Sequence, residues 1–113
     1  MNKVYIVCEP KKFNQGVEVR TVDLTPAAAW GEPVLLLPNT QVLLCPETTL
    51  HTLREKLVTF DDSDYLVPIG DPVLMCAAAT VAAQMNNGRV AYLKWDRKIS
   101  AYIPIRTDTM KGL

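Results

Sequence analysis

The sequence is poor in the side chains on which most catalytic sites depend. It contains one histidine, His51, and three cysteines, Cys8, Cys45 and Cys76, among 113 residues. The cysteines are an odd number at wide spacings, without a Cys-x-x-Cys pair or a neighbouring histidine, which argues against a structural metal site. Each cysteine lies in an apolar stretch and is expected to be a buried thiol. With a single imidazole and no nucleophile-elbow motif, the sequence predicts no hydrolytic triad and no catalytic residues.

Net charge, nucleotide-binding motifs and long apolar runs are also lacking. Twelve Lys and Arg residues balance twelve Asp and Glu residues, so no overall positive field attracts phosphates, which argues against a general nucleic-acid binder. The chain has neither a Gly-x-Gly-x-x-Gly sequence nor a Walker lysine, and we predict no cofactor. No apolar run approaches the roughly 18 residues of a membrane span, and the N-terminus lacks the pattern of a secretion signal, so a soluble, cytosolic protein is expected.

What the chain does have is the composition of one folded domain. Hydrophobic residues make up 49% and charged residues 21% of it, which is the usage of ordinary globular proteins. The 113 residues are too few to form two independent cores. We predict a single domain over residues 1–106, followed by a polar tail over residues 107–113.

The first half of the chain alternates strand and helix patterns. A β-branched run predicts a buried strand at Lys3–Cys8, and period-two alternation at Val17–Arg20 predicts a hairpin-like excursion with one wet face. Thr25 is expected to be the N-cap of a short helix. The apolar run at residues 33–37, bounded by prolines, favours a central strand buried on both faces. Leucines at helical spacing predict an amphipathic helix at residues 48–60.

The strongest local signal is Gly70-Asp71-Pro72, which follows a predicted core strand at residues 65–69. Asp71 is expected to cap a helix and Pro72 to occupy its first position, because proline needs no amide hydrogen there. Asn87-Gly88 is a typical helix end. A long helix is therefore predicted between these two signals.

This helix carries few polar side chains. Within residues 73–85 they are only Thr80 and Gln84, so water is expected to reach at most a narrow stripe. A single sheet covers one face of a helix, and the many alanines permit a second helix to approach closely. We therefore predict that residues 72–87 pack against a neighbour and form a homo-oligomer across a two-fold axis.

The C-terminal third predicts a β-hairpin, with strands at residues 89–95 and 100–106. The last strand is expected at the sheet edge, because Pro104 cannot donate a hydrogen bond to a ladder. The order of strands and helices predicts an α/β fold, namely a small three-layer open sheet with parallel core strands and an antiparallel C-terminal hairpin.

The hairpin also predicts a docking surface for a protein. Aromatic and guanidinium groups, which are enriched at protein interfaces, are expected to lie on it. The candidate partner-binding residues are Tyr92, Lys94, Arg97, Tyr102 and Arg106. Basic and aromatic residues interleave here as they do on RNA-binding sheets, but Asp96 and the overall neutrality weaken that interpretation.

An alternative hypothesis places a small ligand where the parallel strands end. In open parallel sheets ligands bind beyond the carboxyl ends of the strands, and the amino end of a long helix favours an anion. The candidate residues for a nucleotide-like or anionic ligand are Glu9, Lys11, Lys12, Asn39 and Asp71. Against this hypothesis, Asp71 already occupies the cap and would repel a phosphate, so its structural role is favoured.

Five segments of the carboxyl half and two of the amino half carry a resemblance to known proteins. In the carboxyl half they are Pro68-Ile69-Gly70-Asp71-Pro72, the Ala-rich helix, Asn86-Asn87-Gly88-Arg89-Val90, Leu93-Lys94-Trp95-Asp96-Arg97 and Tyr102-Ile103-Pro104. In the amino half they are Tyr5-Ile6-Val7-Cys8-Glu9-Pro10 and Leu53-Arg54-Glu55-Lys56-Leu57. With these segments the chain resembles a group of small proteins encoded by tailed bacteriophages and prophages.

The resemblance implies a phage accessory protein made in the cytoplasm of an infected bacterium. It brings no catalytic or binding residue with it. Small phage proteins without catalytic equipment often work by occupying a host protein or by capturing a small molecule. We therefore expect a non-enzymatic protein that binds a host protein, with small-ligand binding as the alternative and an enzyme in third place.

Overall fold

The computed structural model describes residues 2–8, 11–14, 17–20, 24–37 and 46–112, and it describes residues 11–14 and 17–20 by their backbone alone. In chain order the elements are β1 (Lys3–Cys8), β2 (Lys11–Asn14), β3 (Val17–Arg20), a 3-10 helix (Thr25–Ala29), β4 (Glu32–Leu37), α1 (Pro46–Leu57), β5 (Tyr65–Val67), α2 (Pro72–Met85), β6 (Arg89–Asp96) and β7 (Ala101–Asp108). Five of the strands form one sheet in the order β4-β1-β5-β6-β7, and β2 pairs with β3 separately.

Four neighbouring strands of the large sheet are parallel and the fifth is antiparallel. β1 pairs in parallel with β4 and β5, and β5 pairs in parallel with β6. β6 and β7 form an antiparallel hairpin. The predicted α/β class, the parallel core and the antiparallel C-terminal hairpin are thereby confirmed. The hairpin form of the predicted excursion is confirmed too, since β2 and β3 form an antiparallel pair. Its wet face stays a prediction, because only the backbone of these strands is described.

Different elements cover the two sides of the sheet, as right-handed crossovers require. The connections through α1 and α2 run across the sheet towards β7, whereas the connection from β1 to β4 runs the opposite way, so its 3-10 helix belongs on the other side. On the side of the α-helices, called the α side below, Tyr5 packs with Leu53 and Leu74. On the other side, Val4 packs with Ala27 of the 3-10 helix. Among the described residues, the third layer thus contains one short helix.

The strand at residues 33–37 is an edge strand and not a central one. β4 lies at the end of the sheet opposite β7, and only Leu36 and Leu37 at its carboxyl end are buried. Pro33 has no amide hydrogen, which an edge strand tolerates and a central strand does not. The prediction was wrong because a short apolar run does not by itself reveal how many neighbours a strand has.

The first helices keep their predicted positions with shifted ends. α1 begins at Pro46 and ends at Leu57, rather than spanning residues 48–60. The 3-10 helix has Leu24 and not Thr25 at its N-cap, with no side-chain cap.

α2 has the predicted signals at both ends. The Asp71 carboxylate accepts hydrogen bonds from the backbone N–H groups of Val73 and Leu74 at 2.9 and 3.3 Å. At the other end Gly88, with a φ of 83°, donates its N–H to the Ala83 carbonyl at 2.8 Å. An aspartate cap and a left-handed glycine therefore bound the helix, as the sequence predicted.

The last strand is longer than predicted and the tail is shorter. β7 pairs with β6 as far as Asp108, which lies opposite Arg89, so residues 107 and 108 belong to the sheet. Beyond the strand, Thr109 donates its backbone N–H and its hydroxyl to the Gly88 carbonyl, at 2.9 and 3.1 Å. This turn ties the end of the chain to the end of α2.

Candidate functional site

The structure describes only part of the predicted strand-end site. Glu9 and Asn39 lie outside the described residues, and Lys11 and Lys12 are described only as the first two backbone positions of β2. Asp71 is described in full, and two backbone N–H groups of α2 engage its carboxylate. Asp71 is the one side chain of this set that the structure describes, and it caps α2.

Between the carboxyl ends of β1 and β5 the described atoms are in close contact. Gly70 has a φ of 113°, and a Cβ built on it would lie 2.5 Å from the Cβ of Cys8. Burial raises the pKa of the Cys8 thiol, while a hydrogen bond from the Asp71 backbone opposes the rise. Open α/β sheets bind ligands at this position, and here the Cys8 side chain lies against the chain that enters α2.

The cysteines do not share one environment. Cys8 is buried, as predicted, whereas Cys76 is exposed on α2, so the expectation of a buried thiol was wrong for Cys76. Cys45 lies outside the described residues. The sequence around Cys76 is apolar, but helical geometry turns Leu74 and Ala78 to the core and position 76 away from it.

The five predicted partner-binding residues do not share one face. Tyr92 points to the α side of the sheet, and alternation places Lys94 on the same side. Tyr102 and Arg106 pair with Trp95 and Ala91 of β6, so they point to the opposite side, and Arg97 lies in the turn between the strands. The expected single surface of Tyr92, Lys94, Arg97, Tyr102 and Arg106 is therefore divided by the sheet.

Tyr102 belongs to the core on the side of the 3-10 helix. Only 5% of it is exposed, and its ring meets the ring of Trp95 edge-on, with the centroids 5.0 Å apart. Such a pair stabilises the hairpin through burial and ring geometry. The sequence pattern had suggested a surface position, but the pleat of β7 turns this residue inward.

Contacts with neighbouring residues hold Arg106 in place. Its guanidinium donates to the Tyr65 hydroxyl at 3.1 Å and to the Asp62 carbonyl at 3.2 Å. The guanidinium carbon lies 5.5 Å from the centroid of the Tyr65 ring, within the range of cation–π attraction. Arg106 therefore ties β7 to the residues around the start of β5.

A polar network links the loop before β5 to the start of β6, and the sequence did not reveal it. The Asp62 carboxylate accepts from the Asn86 side-chain amide at 2.8 Å and from Arg89 Nε at 3.0 Å. The Asn86 amide and then Arg89 hold the pKa of Asp62 below its ordinary value, and Asp62 raises the pKa of Arg89. In the sequence Asp62 is only one of several turn-forming residues, and no local pattern pairs it with residues more than twenty positions away.

A groove of about 790 Å³ lies on the α side of the hairpin. Ala79 and Ala83 of α2 form one wall, Tyr92 of β6 lies along it, and Met110 closes one end beside Gly88. A hollow of about 400 Å³ lies nearer the turn and is bordered by Ile103 and Ile105. Ile105 lies directly opposite Tyr92, so groove and hollow adjoin. The open face, as we call this surface, consists of Ala79, Ala83, Tyr92, Ile103, Ile105 and Met110.

Large apolar side chains are exposed on the open face. The exposed fraction is 40% for Ile105 and 57% for Met110. The short turn at residues 97–100 joins β6 to β7 without a helix, so nothing in the described chain covers this side of β7. The open face thus occupies the place where a further helix would complete the layer.

One flank of the open face is the exposed stripe of α2. The buried side of α2 consists of Leu74, Ala78, Val81 and Ala82. Its exposed residues at helical spacing are Val73, Cys76, Thr80 and Gln84. Thr80 and Gln84 are exposed to solvent, as predicted, and Val73 and Cys76 extend the stripe with less polar groups. The homo-oligomer through residues 72–87 stays a prediction.

The outward edge of β7 cannot pair continuously with another strand. In an antiparallel ladder, hydrogen-bonded and non-hydrogen-bonded residue pairs alternate. Thr109 donates its N–H to the Gly88 carbonyl, and counting along the register from this pair makes Leu93 and Pro104 a non-hydrogen-bonded pair. The nitrogen of Pro104 therefore faces away from β6, where it offers no N–H. The edge position of the last strand is confirmed, and its proline discourages the addition of a further strand.

Charges are unevenly divided along the neutral chain. Residues 72–113 contain six of the twelve basic residues but only two of the twelve acidic ones. Four basic residues border the groove or the hollow and have no acidic side-chain partner in the described structure. They are Lys94, Arg97, Lys98 and Lys111. The two acidic residues, Asp96 and Asp108, also border the hollow and the groove, and each accepts a backbone N–H two residues further on. Basic side chains therefore outnumber acidic ones around these surfaces. The open face therefore has a basic rim.

The described residues contain no candidate membrane span and no candidate metal site. None of the helices they form has the length and apolar character needed to cross a membrane. No three His, Cys, Asp or Glu side chains among them gather as metal ligands would. His51 is exposed on α1, where its Nε2 lies 2.9 Å from a carboxylate oxygen of Glu55 on the next turn.

These features define a small mixed α/β protein whose sheet is covered on the α side over its parallel strands and open over its C-terminal hairpin. Over residues 2–109 the chain matches the family model described as Phage Pam3 gp32-like protein. Because the match takes in nearly the whole chain, the protein belongs to the Phage Pam3 gp32-like family. The phage context that the sequence resemblance implied is confirmed at this level. Neither the curated proteins nor the solved structures give a match.

Proposed function

We propose that this phage protein acts without catalysis, by binding a host protein through its open face in the cytoplasm of the infected bacterium. The observation that supports this most strongly is the exposure of Ile105 and Met110 in a groove that no helix of the described chain covers. A contiguous apolar surface rimmed by polar groups is typical of a site that binds another protein.

The side chains of the open face suit this function. Tyr92 is partly buried between α2 and the hairpin, and burial raises the pKa of its phenol above the ordinary value. Tyrosine supplies a large contact area at a low cost in side-chain entropy. The isoleucines beside it add apolar area, and the basic rim supplies orientation and a faster encounter.

The experiment is an affinity capture from a lysate of the bacterial host with three forms of the tagged protein. The forms are wild type, Ile105→Glu and Val58→Glu. Val58 is a matched control, because it is also an exposed apolar residue, at 62%, but it follows α1 and does not belong to the open face. Circular dichroism establishes that all three forms are folded.

We expect wild type and Val58→Glu to retain the same host protein, and Ile105→Glu to retain at least about tenfold less of it, because a buried carboxylate in an interface is costly. Recovery of no host protein by wild type would discard the proposal. Equal recovery by all three forms would show that binding does not use the open face.

A further inference from the structure

We infer that the segment bound by the open face is an acidic amphipathic helix of the partner protein. The inference rests on the proposed function and adds the secondary structure and charge of the bound segment. Four sets of observations support it, namely the absence of a helix over β7 in the described chain, the edge of β7, the charges of the rim and the side chains on the floor of the groove.

The geometry favours a helix over a strand. On the α side, α1 and α2 pack on the parallel strands, and the groove lies beside α2 over the hairpin, where the next helix of the layer would lie. Ala79 and Ala83, one turn apart on α2, leave space for close helix packing. A strand would instead have to add to the edge of β7, where Pro104 interrupts the row of donors.

The length of the surface sets the length of the bound helix. β7 has eight residues and therefore spans about 26 Å, which equals about 17 residues of α-helix. A helix of four to five turns presents apolar side chains at i, i+3, i+4 and i+7 to one groove, which is a common mode of peptide recognition.

The charges favour an acidic partner over a second copy of this chain. Lys94, Arg97 and Lys98 lie at one end of the surface and Lys111 at the other. A two-fold contact of the open face with itself would place this basic rim near its own copy, where like charges repel. An acidic helix meets opposite charges at both ends.

The side chains on the floor of the groove favour a protein segment over RNA as the bound partner. Sheets that bind single-stranded RNA stack two or three bases on aromatic rings. The open face offers one ring, Tyr92, beside the aliphatic side chains of Ile103, Ile105 and Met110. Trp95 also borders the hollow, but its ring packs against Tyr102 on the other side of the sheet. Aliphatic side chains pack well against the leucines of an amphipathic helix and stack poorly on bases.

The test uses fluorescent synthetic peptides of about 17 residues. The first has leucines at helical spacing and glutamates and alanines elsewhere, the second has lysines in place of the glutamates, and the third is the acidic peptide with two prolines at its centre. Fluorescence anisotropy measures the affinity of each peptide, and of a single-stranded RNA of the same length, for the full chain. Sedimentation of the protein alone at micromolar concentration gives its oligomeric state.

The acidic peptide is expected to bind at least about tenfold more tightly than either the lysine peptide or the proline peptide, and its affinity is expected to fall as salt is raised. Ile105→Glu and Lys94→Glu should each weaken it several-fold. Arg54→Glu should leave it unchanged, because Arg54 is an exposed basic residue of α1 outside the open face. Lys94 is itself exposed, so its variant tests the inference even where Ile105→Glu fails to fold.

Several results would overturn the inference. They are equal affinity for the acidic and lysine peptides, equal affinity for the acidic and proline peptides, tighter binding of the RNA, insensitivity to Lys94→Glu, or a wild-type dimer that this substitution converts to a monomer. If host capture depends on Ile105 while the acidic peptide does not bind, the inference fails and the proposed function stands. If capture does not depend on Ile105, the proposed function fails as well.

Discussion

The parallel half of the sheet and its C-terminal hairpin differ in what covers them. In β1, which both layers cover, no residue from Val4 to Cys8 is more than 4% exposed. In β7, only Tyr102 is fully buried, and it lies on the side of the 3-10 helix. The reason lies in connectivity, because a parallel connection must cross over the sheet and brings a helix with it, whereas a hairpin turn brings none.

Under the proposed function, this difference would separate the residues that stabilise the fold from those that bind a partner. The covered half contains most of the fully buried side chains, whose removal would leave cavities, and β7 contains apolar side chains that face water. Both edges of the sheet, β4 and β7, contain a proline, at Pro33 and Pro104. Under the proposed function, recognition would use the face of the hairpin, because the proline in each edge strand discourages the addition of a further strand.

The largest effect should come from truncating one apolar residue in each half, a buried one in the parallel half and an exposed one in the hairpin. Leu66 of β5 is fully buried, and Leu66→Ala should lower the free energy of unfolding by about 3 kcal/mol, since it loses transfer energy and leaves a cavity. Ile105→Ala should lower it by less than about 1 kcal/mol, because Ile105 is already partly wet. Urea denaturation followed by circular dichroism measures both, and equal losses would contradict the contrast between the halves.

Thiol accessibility sharpens the same comparison. Cys76 on the exposed stripe of α2 should react with iodoacetamide about a hundredfold or more faster than Cys8 at about pH 8, since Cys8 reacts only when the core opens. The raised pKa of Cys8 lowers its thiolate fraction further. Peptide mapping by mass spectrometry assigns the rates, and comparable labelling of the two thiols would refute the assignment of Cys8 to the covered core.

The cap of α2 should have an intermediate effect. Asp71→Ala removes the acceptor for two backbone N–H groups and should cost about 1 kcal/mol of stability. Asp71→Asn keeps an acceptor oxygen and should cost much less, which makes it the control. A loss of the same size in both variants would mean that charge, and not the cap hydrogen bond, is what matters at this position.

The smallest effect should be the pH dependence of the exposed network around Asp62. Hydrogen bonds from Asn86 and then Arg89 lower the pKa of Asp62 from its ordinary value of 3.8. A lowered folded-state pKa contributes stability that is fully present above the unfolded pKa of about 3.9 and is lost as the pH falls through the folded value. The stability difference between wild type and Asp62→Asn, measured by thermal unfolding, should therefore shrink below about pH 4. A difference of constant size from pH 7 to pH 2 would exclude this linkage.

Local chemistry determined which parts of the fold the sequence could predict. The ends of α2 were predictable because Asp71 and Gly88 act on backbone groups within four or five residues. The position of β4 in the sheet was not, because strand order depends on partners distant in the chain. The same holds for the Asp62–Arg89 pair, whose members are 27 residues apart.

The candidate site was predictable only in part. Period-two alternation is enough to place Tyr92 and Lys94 on the same side of the sheet, as the structure has them. It could not show that Tyr102 and Arg106 lie on the other side, because that depends on the register across the hairpin turn. The alternation pattern also could not single out Ile105, because its exposure on the open face comes from the absence of a covering helix in the described chain. Ile105 is an ordinary strand residue in the sequence.

Site-specific photo-crosslinking in phage-infected cells most directly tests whether the open face binds a host protein. A photoreactive phenylalanine analogue replaces Ile105 in one form of the protein and Val58 in another, and the crosslinked products are identified by mass spectrometry. The account predicts a crosslink from position 105 to a host protein and no such product from position 58. A product at position 105 that contains only a second copy of this chain, or the same host protein at both positions, would contradict it.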